Sequence, residues 1–234
     1  EIGSGLVGSE MCIRDRLKRV CHAMGISINE YLVSVYIWSV YTECLHGMPS
    51  KCPIRVAVPV NLRPYFNSIT TKNFFVMVSA EFHPTKETYT FAEVAEIVKE
   101  SLRSQINREN LEKLFSYNVS NEKLLIARVV PLFLKNLAMK YVYTTSALAN
   151  TATITNIGNI SVTEEYRPYV EMFHAFLAMS KGQHLKGTIC SYGDTLVFSF
   201  SYDLVDASVQ RGFFRKIASD GIAVEIKSNG VNYE

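Results

Sequence analysis

The residues of this chain best suited to chemistry lie where an apolar run gives out. Within residues 54–75, IRVAVPVNLRPYFNSITTKNFF, the side chains of Asn61, Arg63 and Asn73 bring a guanidinium and two carboxamides to the junction of two strands and a loop. Loops held by a rigid scaffold are common places for binding groups, and these groups can donate hydrogen bonds to a carbonyl or an anion. The same residues also have a structural reading, in which Arg63 is ion-paired and the asparagines close turns. Two later sets resemble them in kind: Thr155, Asn156 and Gly158 end one strand, and Ser199, Ser201 and Asp203 lie along or just after another.

Five histidines, His22, His46, His83, His174 and His184, supply imidazoles suited to proton transfer near neutral pH. They are isolated, and each is read as structural. His46 fits a helix end, His184 a loop, His83 the end of a strand before Pro84, and His174 an apolar strand. The native part holds no G-x-S-x-G elbow, Walker loop, H-E-x-x-H helix or metal-spaced Cys/His set. The paired carboxylates Glu164 and Glu165 fall in a loop, where a solvated surface is the default.

The elements that position these groups follow from periodicity. Ile54, Val56 and Val58 alternate with Arg55, Ala57 and Pro59, the period of a half-buried strand. Pro64 biases Arg63 toward an extended conformation and ends that strand; a second strand starts at Asn73. Ser27 to Glu30 and Thr90 to Glu93 are capping boxes that open two helices. The first continues the fold of a helical tail over 17–25 and is closed by His46-Gly47. Further helix is expected over 111–143, with a break near 118–121 and a kink or new start at Pro131. From 151 the pattern turns to β: strands over 151–155, stopping at 156–158, then 169–178, 187–191 and 195–202, the last two joined by a tight hairpin at 192–194. Asp206 caps a helix carrying Val209, Phe213, Phe214 and Ile217, Gly221 stops it, and a short strand over 222–226 follows.

With 234 residues, 48% of them hydrophobic and 20% charged, the chain can bury a core of its own. A net charge of +2 without a basic stripe argues against nucleic acid as a partner. Five cysteines with no C-x-x-C pair fit reduced thiols and a cytoplasmic location. The longest apolar stretch, 124–143, is interrupted by Arg128, Pro131, Lys135 and Lys140, so it is no transmembrane span. Its part over 129–139 reads as a core helix with snorkelling lysines, with weak membrane-surface contact as the alternative.

Residues 6–16, LVGSEMCIRDR, resemble one reading frame of a transposon-end adapter used in sequencing libraries. Residues 1–16 are therefore set aside as a non-native leader. That removes the G-x-G-x-x-G run at 3–8, which in any case lacks the preceding strand that such a phosphate-binding turn needs.

The VPVNLRPYF…NFF pattern resembles the start of the second lobe in the CoA-dependent acyltransferase superfamily, with its chloramphenicol acetyltransferase-like fold. That group includes alcohol acetyltransferases, wax ester synthases and peptide-synthetase condensation domains. GISINEYLVSVYIWSVY is similar to the helix that opens that lobe, ITNIGNI to its S/T-N-x-G strand, and LVFSFSYDLVDASVQRGFFRKI to its late hairpin strand and following helix. The DFGWG run of plant members has no counterpart here, which favours a bacterial alcohol acetyltransferase or wax-synthase-like relative. The resemblance covers residues 17–234 and implies an α/β (α+β) fold, a mixed sheet covered by helices, forming a C-terminal lobe whose N-terminal lobe is missing.

What the resemblance implies about function is acyl transfer, alcohol acetyltransferase-like, in which an acyl group (acetyl by expectation) moves from acyl-CoA to the hydroxyl or amine of a small acceptor. Acyl-CoA would be a co-substrate, with no permanently bound cofactor and no metal. The family's general base is a histidine of HHxxxDG in the first lobe, and none of the five histidines here has Asp four residues on. Catalytic His is thus expected outside this chain. Asn61, Arg63, Asn73, Thr155, Asn156, Gly158, Ser199, Ser201 and Asp203 would line the opposite wall of a substrate tunnel. The alternative is a non-catalytic or condensation-type module of the same fold that binds carrier proteins or partner enzymes.

Overall fold

A computed structural model describes residues 2–3, 6–7, 13–123, 130–180 and 182–228. Two short strands, β1 (Ile2–Gly3) and β2 (Leu6–Val7), precede helix α1 (Ile13–Ala23) and helix α2 (Ile28–Glu43). The expected capping box opens α2: Glu30 N–H donates to Ser27 Oγ at 3.2 Å, and Ser27 N–H donates to Glu30 Oε2 at 2.6 Å. Tyr31, Leu32, Val35, Tyr36, Ile37 and Tyr41 are all buried, so α2 is an internal helix. After α2, His46 (φ 52°) and Gly47 (φ 74°) both turn left-handed, and Gly47 N–H donates to the Tyr41 carbonyl at 3.0 Å.

Strand β3 (Ile54–Asn61) leads through a single helical turn, α3 (Arg63–Phe66), to β4 (Phe75–Phe82). Here the expectation for Arg63 fails. It is helical, because Pro64 occupies the first turn, where its missing N–H has no partner to lose. Thr90 caps α4 (Phe91–Gln105) as its sequence indicates. Helix α5 (Arg108–Lys123) runs through 118–121 without the expected break, and α6 (Leu132–Leu148) starts directly after Pro131. The stretch 124–129 of the expected helical region lies outside the described residues.

The β half follows: β5 (Ala152–Asn159), β6 (Leu185–Tyr192), β7 (Thr195–Tyr202), helix α7 (Ser208–Ser219) and β8 (Glu225–Ile226). Strand β5 does not stop at 156–158; a bulge between Asn156 and Gly158 carries it on to Asn159. Residues 169–178 are not a strand either. A turn of 3₁₀ helix over Arg167–Tyr169 gives way to an extended run outside every described ladder. Asp206 is not the N-cap of α7: that position is Ala207, and Asp206 stands one residue before it, its carboxylate accepting Ser208 N–H at 2.9 Å.

The six-stranded sheet has the order β1-β7-β6-β5-β3-β4. Pairs β3/β4 and β6/β7 are antiparallel, whereas β5 runs parallel to both β3 and β6. Strand β1 adds to the β7 edge through two residues, Ile2 opposite Ser201 and Gly3 opposite Phe200, and β2 pairs with β8. Such edge pairing is made by backbone groups. Helices α2, α4 and α7 pack together and cover one face of the sheet. Its core joins Val56, Val78, Ile154 and Ile189 to an aromatic cluster in which Phe198 and Phe213 have ring centroids 4.4 Å apart.

Helix α6 contradicts the core-helix expectation. Its large apolar side chains, Leu137 and Tyr141 among them, are exposed. No other described element packs extensively along it. Among the described residues, no helix is long and apolar enough to cross a membrane, and no cluster of three or more His, Cys, Asp or Glu is arranged to hold a metal. Cys21, Cys44, Cys52 and Cys190 are free thiols, while Cys12 lies outside the described residues.

Candidate functional site

Strand alternation gives the sheet two unlike faces. In β5, β6 and β7 the residues Ile154, Gly187, Ile189, Phe198 and Phe200 turn toward the helices. The alternate set, Thr153, Thr155, Lys186, Thr188, Ser199 and Ser201, falls on the opposite, helix-free face. Pairing registers align these residues laterally. Ser79, Ala57, Thr153, Lys186 and Ser201 follow one another across five strands. A second row sets Thr155 opposite Thr188 and Thr188 opposite Ser199. On β3 and β4 the same face carries Pro59, Met77 and Phe75, with both Met77 and Phe75 exposed. One face thus combines an apolar, open end with a hydroxyl-bearing, covered end.

The cover is the extended run 170–179. Met172, Phe173 and Ala175 pack against Cys190 and Val197, and Cys190 Sγ donates to the Phe173 carbonyl at 3.1 Å. Lys186 Nζ donates to the Ala178 carbonyl at 2.8 Å and to Ser180 Oγ. Beneath this strap Lys186 is 7% exposed, Thr188 2% and Ser199 1%. Ser199 Oγ has no hydrogen-bond partner among the described residues, although buried hydroxyls nearly always have one. Burial pushes the Cys190 thiol above its usual pKa. At the other end of the first row, Ser79 opens into a cavity of 360 Å³ lined also by Arg55, Glu81, Ser101, Gln105 and Asn150. Polar groups there are paired: Arg55 Nε donates to Glu81 at 2.9 Å, and Ser79 Oγ to Asn150 Oδ1 at 2.9 Å.

The residues singled out from sequence fall in several separate places. Thr155, Ser199 and Ser201 come together on the helix-free face, and Asn61 lies on the same side of β3. Arg63 is engaged in a loop clamp, donating from Nε to the Thr70 carbonyl (2.8 Å), from Nη2 to the Lys72 carbonyl (2.6 Å) and from Nη1 to Asn61 Oδ1 (3.2 Å). Arg63 is therefore structural without the expected ion pair, since its acceptors are two carbonyls and an amide, whereas Asn61 does close the turn, its Oδ1 accepting Arg63 N–H at 3.1 Å. Asn73 is exposed just before β4. Asn156 Oδ1 accepts Gly158 N–H at 2.8 Å, and Gly158 takes φ +86°, so both shape the bulge. Space above Gly158 is open to 4 Å.

Asp203 stands apart from the hydroxyl rows at the end of β7, where its carboxylate meets His184 Nδ1 at 2.9 Å. All five histidines are exposed. Two residues of this face, Lys186 and Thr188, escaped the sequence reading. Their signal was the period of two in LKGTICSY, which sets Lys186, Thr188 and Cys190 on one side of a strand that is buried on both.

No protein-family model matches the sequence, and neither does any curated protein. Solved structures do match in shape. The nonribosomal peptide synthetase FmoA3 bound to AMPPNP aligns with 90% of this chain and 21% of its own, at 16% identity and TM-score 0.58. The epimerization domain of the third module of tyrocidine synthetase B aligns over 92% and 47%, at 12% identity and TM-score 0.55. Polyketide synthase associated protein 5 from Mycobacterium tuberculosis aligns over 93% and 53%, at 11% identity and TM-score 0.51. The chain spans about half, or less, of the length of these structures. At such identities the likeness is one of fold: a mixed α+β architecture, a sheet covered by helices, shared with these structures.

Proposed function

We propose that residues 17–234 form the second lobe of an acyltransferase and that the helix-free sheet face is one wall of its substrate tunnel. The observation that carries this reading is the juxtaposition on that face of the half-buried hydroxyls Thr153 and Thr155 with the apolar, exposed Met77 and Phe75. A thioester-linked acyl donor presents an apolar acyl group, a carbonyl oxygen and the amides of a pantetheine arm. Pro59, Met77 and Phe75 offer apolar surface for the first, and the half-buried Thr153 and Thr155 offer hydroxyl donors and acceptors for the others.

In the reaction proposed, the oxygen or nitrogen of a small alcohol or amine attacks the thioester carbonyl directly. A base removes the attacking group's proton, the carbonyl becomes an oxyanion, and its collapse expels the CoA thiolate, which takes up a proton. Hydroxyl donors that meet the oxyanion stabilise that intermediate more than the flat thioester. The base is assigned to a histidine of a preceding lobe, because none of the five histidines here carries the family's spacing. Acetyl-CoA is the first donor to try, and residues 1–16 are assigned to a non-native leader.

Hydrogen–deuterium exchange on the chain with acetyl-CoA tests the wall. Slower exchange is expected in β5 and β6. Protection confined to other elements, or none at saturating ligand, contradicts the assignment. Protection by a pantetheine-loaded carrier protein but not by acetyl-CoA would move the reading to a condensation-type module.

A further inference from the structure

Helix α6 remains unused by the acyl-transfer reading. Leu134, Leu137, Tyr141 and Val142 recur at the spacing of one helix face and are 45%, 67%, 74% and 56% exposed. Burying such side chains is worth about 2 kcal/mol each, so a face of this kind left in water is costly and marks an interaction surface.

We propose that α6 docks on an anionic lipid surface, lying in the interface with this face toward the acyl chains. At about 100° per residue, Lys135 lies about 100° to one side of Leu134 and Lys140 about 120° to the other. Two lysines therefore flank the apolar face, where their stems can run along it and their ammonium groups reach phosphate. Tyr141, on this face, is an amphipathic ring of the kind that settles at headgroup depth. The charge pattern extends beyond the helix: residues 123–163 contain Lys123, Arg128, Lys135 and Lys140 and not one Asp or Glu. A protein this evenly charged elsewhere, with 24 basic and 22 acidic residues, has segregated the acids away from α6.

Two other occupants fit less well. In a symmetric pair of copies meeting through α6, Lys135 and Lys140 of both would converge without an acid on the helix to offset them. A helix docking in a protein groove needs only a narrow stripe, yet Leu132, Phe133 and Met139 add exposed apolar surface outside it. The docking is in-plane, since α6 falls short of a membrane span.

The proposal stands independently of acyl transfer, and its test reads binding alone. The full chain is floated with vesicles of phosphatidylcholine, with and without phosphatidylglycerol. Binding is expected to the anionic vesicles, to weaken with added salt, and to fall about fivefold with either Lys135→Gln or Lys140→Gln. Leu137→Glu should abolish it with an unchanged far-ultraviolet circular dichroism spectrum, because Leu137 is exposed in the folded chain. Failure to float, or equal binding to both vesicle types, overturns the proposal. A wild-type dimer that Leu137→Glu converts to monomer, with no flotation of either, assigns α6 to contacts between copies instead.

Discussion

Lys186 Nζ donates to the carbonyl oxygen of Ala178 at 2.8 Å, and so fastens the strap to the helix-free face of the sheet. The strap is not part of any described ladder; this bond, the one to Ser180, the Cys190 Sγ bond to the Phe173 carbonyl, the edge-on packing of Phe173 against Tyr192 and the apolar contacts at Cys190 hold it down.

Replacing Lys186 with Met keeps the stem and removes the donor. The variant should open more readily and expose Cys190, which is buried and donates to the strap's Phe173 carbonyl. Labelling of Cys190 by a thiol reagent, followed by peptide mass spectrometry, should speed up at least about tenfold, since the two charge-assisted hydrogen bonds to Ala178 and Ser180 are lost together. Labelling of Cys52, exposed and remote in sequence, should not change. An unchanged Cys190 rate would mean that apolar packing alone secures the strap.

Gly187→Ala should destabilise the fold. A Cβ at Gly187 would stand 2.7 Å from Phe198 Cζ and 3.2 Å from Ile154 Cγ1. Phe198 cannot easily yield, since Phe200 and Phe213 crowd its ring at centroid distances of 4.8 and 4.4 Å. Overpacking of this kind costs about 1–3 kcal/mol, to be read as a lower midpoint in urea unfolding.

Ser27→Ala should cost about 1 kcal/mol by removing the cap on α2. Glu30, its partner in the box, adds a pH dependence. Burial pushes the Glu30 carboxyl up, but bonds from Arg103, Ser27 N–H and Ser27 Oγ outweigh it and hold the group below the usual carboxylate pKa of 4.5. Because the folded value is the lower one, the ionised group stabilises the fold above pH 4.5, and that contribution fades as pH falls through the folded value. The melting temperature of wild type should therefore exceed that of Glu30→Gln at neutral pH, with the gap narrowing in acid. A gap that is constant down to acid pH would contradict this.

Local patterns were legible in the sequence wherever the deciding contact is local. Both capping boxes, the β6/β7 hairpin about Gly193 (φ +57°) and the α7 face of Val209, Phe213, Phe214 and Ile217 depend on neighbours within a few residues. The misread stretches depend on what lies across space. Residues 169–178 have strand composition, but every described ladder position beside them is taken, so they lie over the sheet instead of in it. Helix α6 is apolar enough for a core, yet nothing described covers it. The site itself was partly visible: Thr155, Ser199 and Ser201 could be named, whereas Lys186 joins them only through the register that sets it between Thr153 and Ser201.

Thr155→Val tests the wall more narrowly. It removes one hydroxyl from a half-buried position and keeps the shape of the side chain. Affinity for acetyl-CoA, measured by calorimetry, should fall by about five- to tenfold with stability little changed. Unaltered affinity would take Thr155 off the ligand's path.

The central claim is that this chain supplies a tunnel wall while the general base lies in a lobe before it. Reading the gene upstream of the codon for Leu17 tests it most directly. The account predicts a reading frame that continues into a lobe carrying HHxxxDG. A start codon near Leu17, or an upstream lobe without that histidine, would contradict it and leave partner binding as the function of this fold.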